Sequence, residues 1–254
     1  MNKCLTAILL ALSATASAQR LQPAPRLVVN ITIDQLRTDY IQAFAPLYGP
    51  DGFKKLLSEG RVYEAASYDF LPIDRASAVA SISSGTTPYY NNIVSSQWLD
   101  RATLRPVYCV ADSKVGTSPR LLSTSTIGDE LKVATGGSAL VYALAFSRDA
   151  AVLSAGHAAD GAVWVDDNRG VLATSAYYPQ KTHKWLNAYN AVYSQRASDD
   201  RTKNLAVAHA AQACVVEQAM GRDAVTDYLA VTLSANDSRL RHIYPGHKLH
   251  RDRC

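Results

Sequence analysis

The chain has 254 residues, of which 48% are hydrophobic, and a formal net charge of +4. This length and apolar content exclude a disordered chain and allow one large α/β domain or two small ones with a sizeable core. Much of the positive charge lies in residues 238–254, which contain five Lys or Arg and one Asp, so the remainder is close to neutral and gives no reason to expect a nucleic-acid partner.

Residues 1–18 are typical of a secretory signal peptide. They carry one cation, Lys3, followed by an apolar run over residues 5–12 and small residues before Gln19. This layout predicts cleavage before Gln19 and a periplasmic or secreted protein, with an ordinary buried helix as the alternative. The apolar run is too short to span a bilayer, so no transmembrane segment is expected.

Three cysteines remain after this predicted cleavage, at Cys109, Cys214 and Cys254. Their spacing excludes a zinc ribbon, and a disulfide framework would leave one thiol over.

Strand-like and helix-like patterns alternate along the rest of the chain. Apolar or alternating runs predict strands at 26–34, 61–70, 139–146, 151–153, 162–165, 172–178 and 228–234, and helical spacing with glycine stops predicts helices at 52–60, 76–84, 126–134 and 203–220. The nearly continuous β-branched run of the first strand predicts burial on both faces of a parallel sheet. Helix 203–220 is apolar on nearly every side, which predicts that it is buried. The alternation favours a three-layer α/β/α sandwich with a mostly parallel central sheet.

Four charged residues stand at the ends of these elements. Asp34 closes the first strand and Asp237 follows the last one, at the carboxyl edge where open α/β sheets bind ligands. A carboxylate in such a place is more often a helix cap than a ligand. Before the helix at 76–84, Asp74 suits the N-cap position and Arg75 the first turn.

Seven segments, in this order and at approximately this spacing, resemble one enzyme family. They are Leu27–Tyr40, Gly52–Gly60, Ser84–Pro88, Trp98–Arg101, Thr126–Lys132, Ala155–Asp160 and Leu229–Asp237. Together they look like the zinc-dependent alkaline phosphatases of Bacteroidetes type, in the phosphodiesterase/nucleotide pyrophosphatase branch of the alkaline phosphatase superfamily. The resemblance implies the alkaline phosphatase fold, which would be incomplete at the carboxyl terminus of this chain.

The resemblance also implies a site with two zinc ions and a Thr or Ser nucleophile at a helix N-terminus, where metals and helix dipole stabilise negative charge. Asp34 and Asp237 match one ligand of each zinc ion. The nucleophile position, however, falls on Arg75. A guanidinium cannot be deprotonated, so it cannot attack phosphorus, and its fixed charge disfavours a metal beside it.

Other active-site groups of the family are also replaced. Ser96 stands where the resemblance implies an asparagine, Ser147 and Asp149 stand where it implies a Lys-x-Arg pair, and Arg241 where it implies a histidine. The remaining zinc ligands, an Asp-His pair and a last histidine, would lie further downstream than residue 254. Since two matched ligands do not hold two metals, zinc is expected to bind weakly or not at all.

Some residues suggest other chemistry. His157 and Asp160 have the spacing of a metal pair, although the resemblance makes this segment structural. Ser77 or Ser81 are candidate substitute nucleophiles inside a helix.

Residues 238–254 depart from the family pattern. They are consistent with a basic arm for a membrane surface or polyanion, a histidine cluster for a metal, or the product of a truncation or frameshift, which we favour.

The sequence therefore predicts a signal peptide at 1–18, part of an alkaline phosphatase-like domain at 19–237 and a basic tail at 238–254. We expect no catalytic residue and, at most, binding of phosphate, sulfate or a protein partner, with Arg75, Ser96 and Arg148 as the ligand-binding residues. The alternatives are an active metal-dependent phosphomonoesterase or phosphodiesterase, and a poorly folded product without function.

Overall fold

The computed structural model describes residues 23–193 and 197–235, and its centre is a five-stranded sheet in the order β1-β9-β6-β7-β8. These strands are β1 (Leu27–Asp34), β6 (Val141–Ala145), β7 (Gly161–Val165), β8 (Leu172–Ala173) and β9 (Asp227–Ser234). The first four in this order are parallel, and β8 runs antiparallel to β7. The predicted mostly parallel sheet is confirmed.

Two short antiparallel pairs lie outside the main sheet. They are β2 (Gln97–Leu99) with β3 (Pro106–Tyr108), and β4 (Ala111–Asp112) with β5 (Gly116–Thr117).

Helices cover both faces of the central sheet. In chain order they are α1 (Thr38–Ala43), α2 (Phe53–Glu59), α3 (Arg75–Ser84), α4 (Pro88–Asn91), α5 (Ile127–Ala134), α6 (Arg148–Ala155), α7 (Gln180–Val192) and α8 (Asp200–Glu217), with a 3₁₀ turn at Ala45–Leu47. One core cluster joins α3 and α6 to the sheet, and a second joins α7 and α8 to its other face. The three-layer sandwich is thus as predicted. Within the described ranges, no helix is both long and apolar enough to cross a membrane.

Small residues set the position of α3, the helix that carries Arg75. Ala76 and Ala80 have no exposed surface, so α3 lies close against α6. The Ser83 hydroxyl of α3 donates a hydrogen bond of 2.8 Å to the Leu153 carbonyl of α6. Close packing of this kind lets the two helices present their N-terminal ends to the same edge of the sheet.

Two predictions about β1 and α8 are wrong. β1 is not buried on both faces: among the described residues it pairs with β9 alone, and Val29 and Ile31 keep 47% and 58% of their surface exposed. An apolar run predicts a strand but not its neighbours, which the sheet order decides. Helix α8 is buried only along one stripe that includes Val207 and Cys214, while Leu205 and Val216 are exposed.

Other errors concern local structure. Residues 61–70 form no strand, and Tyr63 in that segment is 74% exposed. Residues 151–153 belong to α6, because a short apolar run in a buried helix has the same pattern as a buried strand. The strand predicted at 172–178 is limited to the two residues of β8, and α7 was not predicted because its polar sequence shows little apolar spacing.

Some predictions fall outside the described residues, namely the signal peptide, Asp237 and the basic tail. Of the cysteines, Cys109 and Cys214 are described, and both are free and buried, in the core clusters on opposite faces of the sheet.

Candidate functional site

The candidate site lies at the carboxyl edge of the sheet. β1 ends at Asp34, the loop after β6 leads into Asp149 in the first turn of α6, and α3 begins at Arg75. A cleft of about 580 Å³ lies against this edge, and its lining includes Asp34, Asp74, Arg75 and Ser96. The fold therefore brings together three of the residues predicted for the site, Asp34, Arg75 and Ser96.

An ion pair between Arg75 and Asp149 forms the centre of this site. The Arg75 Nε donates to both carboxylate oxygens of Asp149 at 3.2 Å, and its Nη2 donates to Oδ2 at 3.0 Å. The Asp149 side chain is fully buried and that of Arg75 is 30% exposed. Burial opposes the charged form of Arg75, but the pair with Asp149 outweighs it, so the pKa of Arg75 stays above its ordinary value.

Further donors complete the shell of Asp149. The Ser96 hydroxyl donates to its Oδ2 at 3.3 Å, and the Ala150 backbone N–H at the start of α6 donates to Oδ1 at 3.0 Å. Arg75 also has its guanidinium carbon 5.3 Å from the ring centroid of Phe146, a cation–π contact. A guanidinium, a hydroxyl and a helix N-terminus are groups that also bind oxyanions, so the Asp149 carboxylate occupies a place with the donors of an anion site.

Asp74 fixes the start of α3. One carboxylate oxygen accepts from the Ser77 backbone N–H at 2.9 Å, as an N-cap, and the other accepts from the Ser95 hydroxyl at 2.8 Å and the Ser96 N–H at 2.6 Å. Burial works against the Asp74 charge, yet these donors hold the pKa of Asp74 below its ordinary value. The predicted N-cap role of Asp74 is confirmed, and the same carboxylate ties the loop of Ser96 to α3.

Asp34 has fewer hydrogen-bond partners than Asp74 and Asp149, the other two carboxylates of the site. Its Oδ2 is buried without a hydrogen-bond partner and lies 3.9 Å from the Arg75 Nη1. Burial raises the pKa of Asp34, while the positive charge of Arg75 opposes this rise. Arg75 thus stands between two carboxylates, with Asp149 holding it by hydrogen bonds and Asp34 by charge alone.

Arg148 does not join this ion pair. Its side chain is exposed, and its guanidinium carbon lies 5.0 Å from the centroid of the Tyr108 ring. Burial, together with the charge of Asp149, raises the pKa of Tyr108 to about 12, so this phenol stays protonated at neutral pH. Arg148 and Tyr108 thus contact each other, and neither lines the cleft.

The described residues do not fit a zinc ion by themselves. A stable zinc site needs about four ligands, or three and a water. The described part of the chain has no group of three or more His, Cys, Asp or Glu side chains arranged to hold a metal, and Asp237 lies outside it. Asp34 has a free oxygen, but the Arg75 guanidinium lies beside that oxygen and places a positive charge where a cation would bind.

Ser77 and Ser81, the candidate substitute nucleophiles, have structural contacts. The Ser77 hydroxyl is fully buried and exchanges hydrogen bonds with the backbone of Asp74 in a capping box. Ser81 accepts a long hydrogen bond of 3.5 Å from the Asn91 amide. Neither hydroxyl lies next to a general base among the contacts of the described residues, so their contacts do not support a role as nucleophiles.

The proposed metal pair of His157 and Asp160 has separate partners. His157 Nδ1 lies 3.2 Å from Asp129 Oδ2 and its Nε2 lies 3.1 Å from the Leu122 carbonyl, whereas Asp160 forms an ion pair of 2.7 Å with Lys132. The two residues therefore anchor local structure. The hydrogen bond to Asp129, followed by its charge, raises the pKa of His157 above 6.5, even though burial opposes this.

This pKa shift predicts a pH-dependent contribution to stability. A raised folded-state pKa gives stability that is fully present below the unfolded pKa of about 6.5 and is lost as pH rises through the folded value. His157→Gln should therefore destabilise the protein more near pH 5.5 than near pH 8.5, by up to about 1 kcal/mol because the ring is partly exposed. Urea unfolding at both pH values measures this, and the difference should vanish in an Asp129→Asn background.

Sequence reasoning misses the role of Asp149, which it treats only as the replacement of a cationic residue of the family. A signal for its role exists in the sequence: an aspartate in the first turn after a buried strand lies at the same sheet edge as Arg75. Opposite charges predicted at one buried edge favour an ion pair.

Comparisons with known proteins agree with this fold. The model of the type I phosphodiesterase / nucleotide pyrophosphatase family matches residues 28–253. Alkaline phosphatase PhoV of Synechococcus elongatus is 37% identical over 177 residues, which are 66% of this chain and 32% of PhoV. Alkaline phosphatase PafA of Elizabethkingia meningoseptica is 35% identical over 179 residues, 66% of this chain and 33% of PafA.

A crystal structure of wild-type alkaline phosphatase PafA superimposes with a TM-score of 0.78 and 26% identity, over 84% of this chain and 53% of that one. The aligned part of this chain spans about a third of the length of the curated relatives. The family match and the shared three-layer fold give the same assignment. The chain therefore belongs to the type I phosphodiesterase / nucleotide pyrophosphatase family, in the alkaline phosphatase superfamily.

Proposed function

We propose that this protein is a secreted, non-catalytic member of its family that, at most, holds an anionic ligand such as phosphate or sulfate, or a protein partner. The single observation that carries the proposal is the Arg75–Asp149 ion pair at the carboxyl edge of the sheet. Secretion rests on the signal-like layout of residues 1–18.

Phosphoryl transfer to the enzyme needs a nucleophile that a metal or base can deprotonate. Arg75 has no such group, and its Nε and Nη2 both donate hydrogen bonds to Asp149. The nearby hydroxyl of Ser96 donates at 3.3 Å to Asp149 Oδ2, an oxygen that already accepts from the Arg75 guanidinium and is therefore poorly placed to take the proton of Ser96. These contacts support a site without hydrolytic chemistry.

Anion binding would use the donors that now hold Asp149. Arg75 and Ser96 line the cleft, and the exposed Arg148 precedes Asp149 at the start of α6. A phosphate has to displace Asp149 or share Arg75 with it, and the negative charges of Asp34 and Asp74 oppose its entry. We therefore expect millimolar rather than micromolar affinity for phosphate or sulfate in the wild-type protein.

An active metal-dependent phosphatase or phosphodiesterase is the second candidate, because relatives carry the name alkaline phosphatase and Asp34 retains an unpartnered buried oxygen. A zinc ion bound there would supply a Lewis acid and a metal-bound nucleophile. The non-catalytic protein and the metal-dependent hydrolase predict opposite results in a hydrolysis assay.

Hydrolysis of an aryl phosphate and of a bis-aryl phosphate, measured with added zinc on the protein beginning at Gln19, separates them. We expect no turnover above that of an Asp34→Asn variant purified identically. Asp223→Asn is the matched control, since Asp223 is an exposed carboxylate at the opposite end of the sheet. Zinc-dependent turnover that persists in Asp223→Asn and is lost in Asp34→Asn would overturn the proposal.

A further inference from the structure

His157 bridges two segments of the chain through its imidazole ring. Its Nδ1 lies 3.2 Å from Asp129 Oδ2 in the first turn of α5, and its Nε2 lies 3.1 Å from the carbonyl oxygen of Leu122, in the loop before that helix. Both partners are acceptors, one a carboxylate and the other a backbone carbonyl. The ring donates to both only as the imidazolium, which has an N–H at each nitrogen, whereas a neutral ring has a single N–H.

The two acceptors differ in strength when only one ring proton remains. Burial opposes the charge of Asp129, but hydrogen bonds from the His157 ring and from the Ala158 N–H, the latter of 2.7 Å, hold the pKa of Asp129 below its ordinary value. A hydrogen bond to a carboxylate is roughly twice as strong as one to a neutral carbonyl. The neutral ring therefore keeps its proton on Nδ1, facing Asp129, and turns the lone pair of Nε2 toward the Leu122 carbonyl.

We propose that the Nε2 proton of His157 is a latch for residues 118–123. While the ring is an imidazolium, this segment is held to the start of α5. When Nε2 loses its proton to solvent at alkaline pH, the hydrogen bond to the Leu122 carbonyl is lost and the segment opens. The His157 side chain is 37% exposed, so solvent reaches the ring, whereas Leu122 is 2% exposed and its carbonyl gains a water partner only if the segment moves.

The other ionisable groups around this contact keep their ionisation state between about pH 5.5 and pH 9. Tyr177 donates from its hydroxyl to the His157 carbonyl, and burial raises the pKa of Tyr177 and of its neighbour Tyr178, so both stay protonated. Beside the segment, Asp112 forms an ion pair of 3.9 Å with Arg120, and a hydroxyl donor and two backbone N–H groups hold the pKa of Asp112 below its ordinary value. Of these groups, His157 is thus the one that titrates near neutral pH.

The latched segment is joined by backbone hydrogen bonds to the loop of Ser96. The Ser118 N–H donates to the Val110 carbonyl at 3.1 Å, and the preceding residue, Cys109, donates from its N–H to the Ser96 carbonyl at 2.9 Å. At the other end of the segment, the Ser123 N–H donates to a carbonyl of α4 at 3.0 Å. Opening of residues 118–123 therefore removes part of the support of the loop that carries Ser96, a residue of the candidate site.

Nitrogen-15 spectra of the histidine rings along a pH titration test the first step. The His157 signals are assigned by their absence in His157→Gln. We expect both ring nitrogens to be protonated near pH 5.5, and the neutral ring formed at higher pH to carry its proton on Nδ1. A neutral ring with its proton on Nε2 would overturn the proposal, because the contact with the Leu122 carbonyl would then survive the loss of charge.

Amide hydrogen exchange tests the release of the segment. After correction for intrinsic exchange, protection of the Leu122 and Ser123 amides in the wild type should fall about fivefold between pH 5.5 and pH 9, while that of Leu144, in the centre of the sheet, should not change. His157→Gln should abolish this pH dependence. The matched control His209→Gln, in α8 on the other face of the sheet, should retain it.

The wild type alone is sufficient to contradict the latch. Protection of Leu122 and Ser123 that is the same at both pH values would overturn the proposal, whether or not His157→Gln folds. A fall in protection that persists in folded His157→Gln would also overturn it, since another group would then control the segment.

Discussion

Asp149→Ala is expected to lower the free energy of unfolding by about 2–4 kcal/mol, a little below the loss typical when one member of a fully buried ion pair is removed. The change leaves the largely buried Arg75 guanidinium without its hydrogen-bonded partner and leaves the Ser96 hydroxyl without its acceptor. Urea unfolding followed by circular dichroism measures the loss.

A double-mutant cycle gives the control for this prediction. Arg75→Ala should also destabilise, since it leaves Asp149 buried and charged, and the double variant should be less unstable than the sum by about 1–3 kcal/mol. The matched surface pair is Arg169 with Asp166, which has similar hydrogen bonds but an arginine side chain that is 67% exposed. Arg169→Ala should cost less than about 1 kcal/mol. Additive effects of Arg75→Ala and Asp149→Ala would contradict the coupling.

Asp149→Asn is expected to raise the affinity for phosphate and for sulfate at least about tenfold, because a full negative charge about 4 Å from the bound anion is removed. The amide keeps the volume of the side chain but no longer competes as a carboxylate for the Arg75 Nε and Nη2. Isothermal titration of each anion, at constant ionic strength, measures the change.

The control is Asp166→Asn, which removes an equal charge from the surface near Arg169 and should leave anion affinity unaltered. Equal affinities of wild type and Asp149→Asn would show that Arg75 is not a ligand-binding residue. A tenfold gain that is lost when Arg75→Met is added would assign the anion to this guanidinium.

Periodicity predicts the parts of this fold that depend on local sequence. The strands at 228–234 and 162–165 and the cap of α3 at Asp74 were found because they depend on β-branched runs and on capping chemistry. The partial exposure of β1 was not predicted, since a strand buried on both faces and a partly exposed strand can share one apolar pattern. Sheet order depends on contacts between residues far apart in the sequence, which a local pattern does not contain.

Local sequence likewise predicts some residues of the candidate site but not the contacts between them. Arg75 at the start of a helix and Asp34 at the end of a strand follow from local signals and from the family resemblance. The pairing of Arg75 with Asp149 joins residues 74 positions apart, and it depends on the close packing of α3 against α6. Arg148 was predicted to bind a ligand with Arg75. It contacts the Tyr108 ring outside the Arg75–Asp149 pair, because Arg148 and its neighbour Asp149 point in different directions from the start of α6.

The state of the Arg75 guanidinium is the most direct test of the central claim, that an ion pair stands where relatives of this chain are expected to place a nucleophile and a metal. Nitrogen-15 spectra of the arginine Nε–H groups report it, with the Arg75 resonance assigned by its absence in Arg75→Lys. We predict slow solvent exchange of this proton at neutral pH, abolished by Asp149→Ala, and no change on adding stoichiometric zinc. A resonance that exchanges as fast as those of exposed arginines, or that shifts when zinc is added, would contradict the claim.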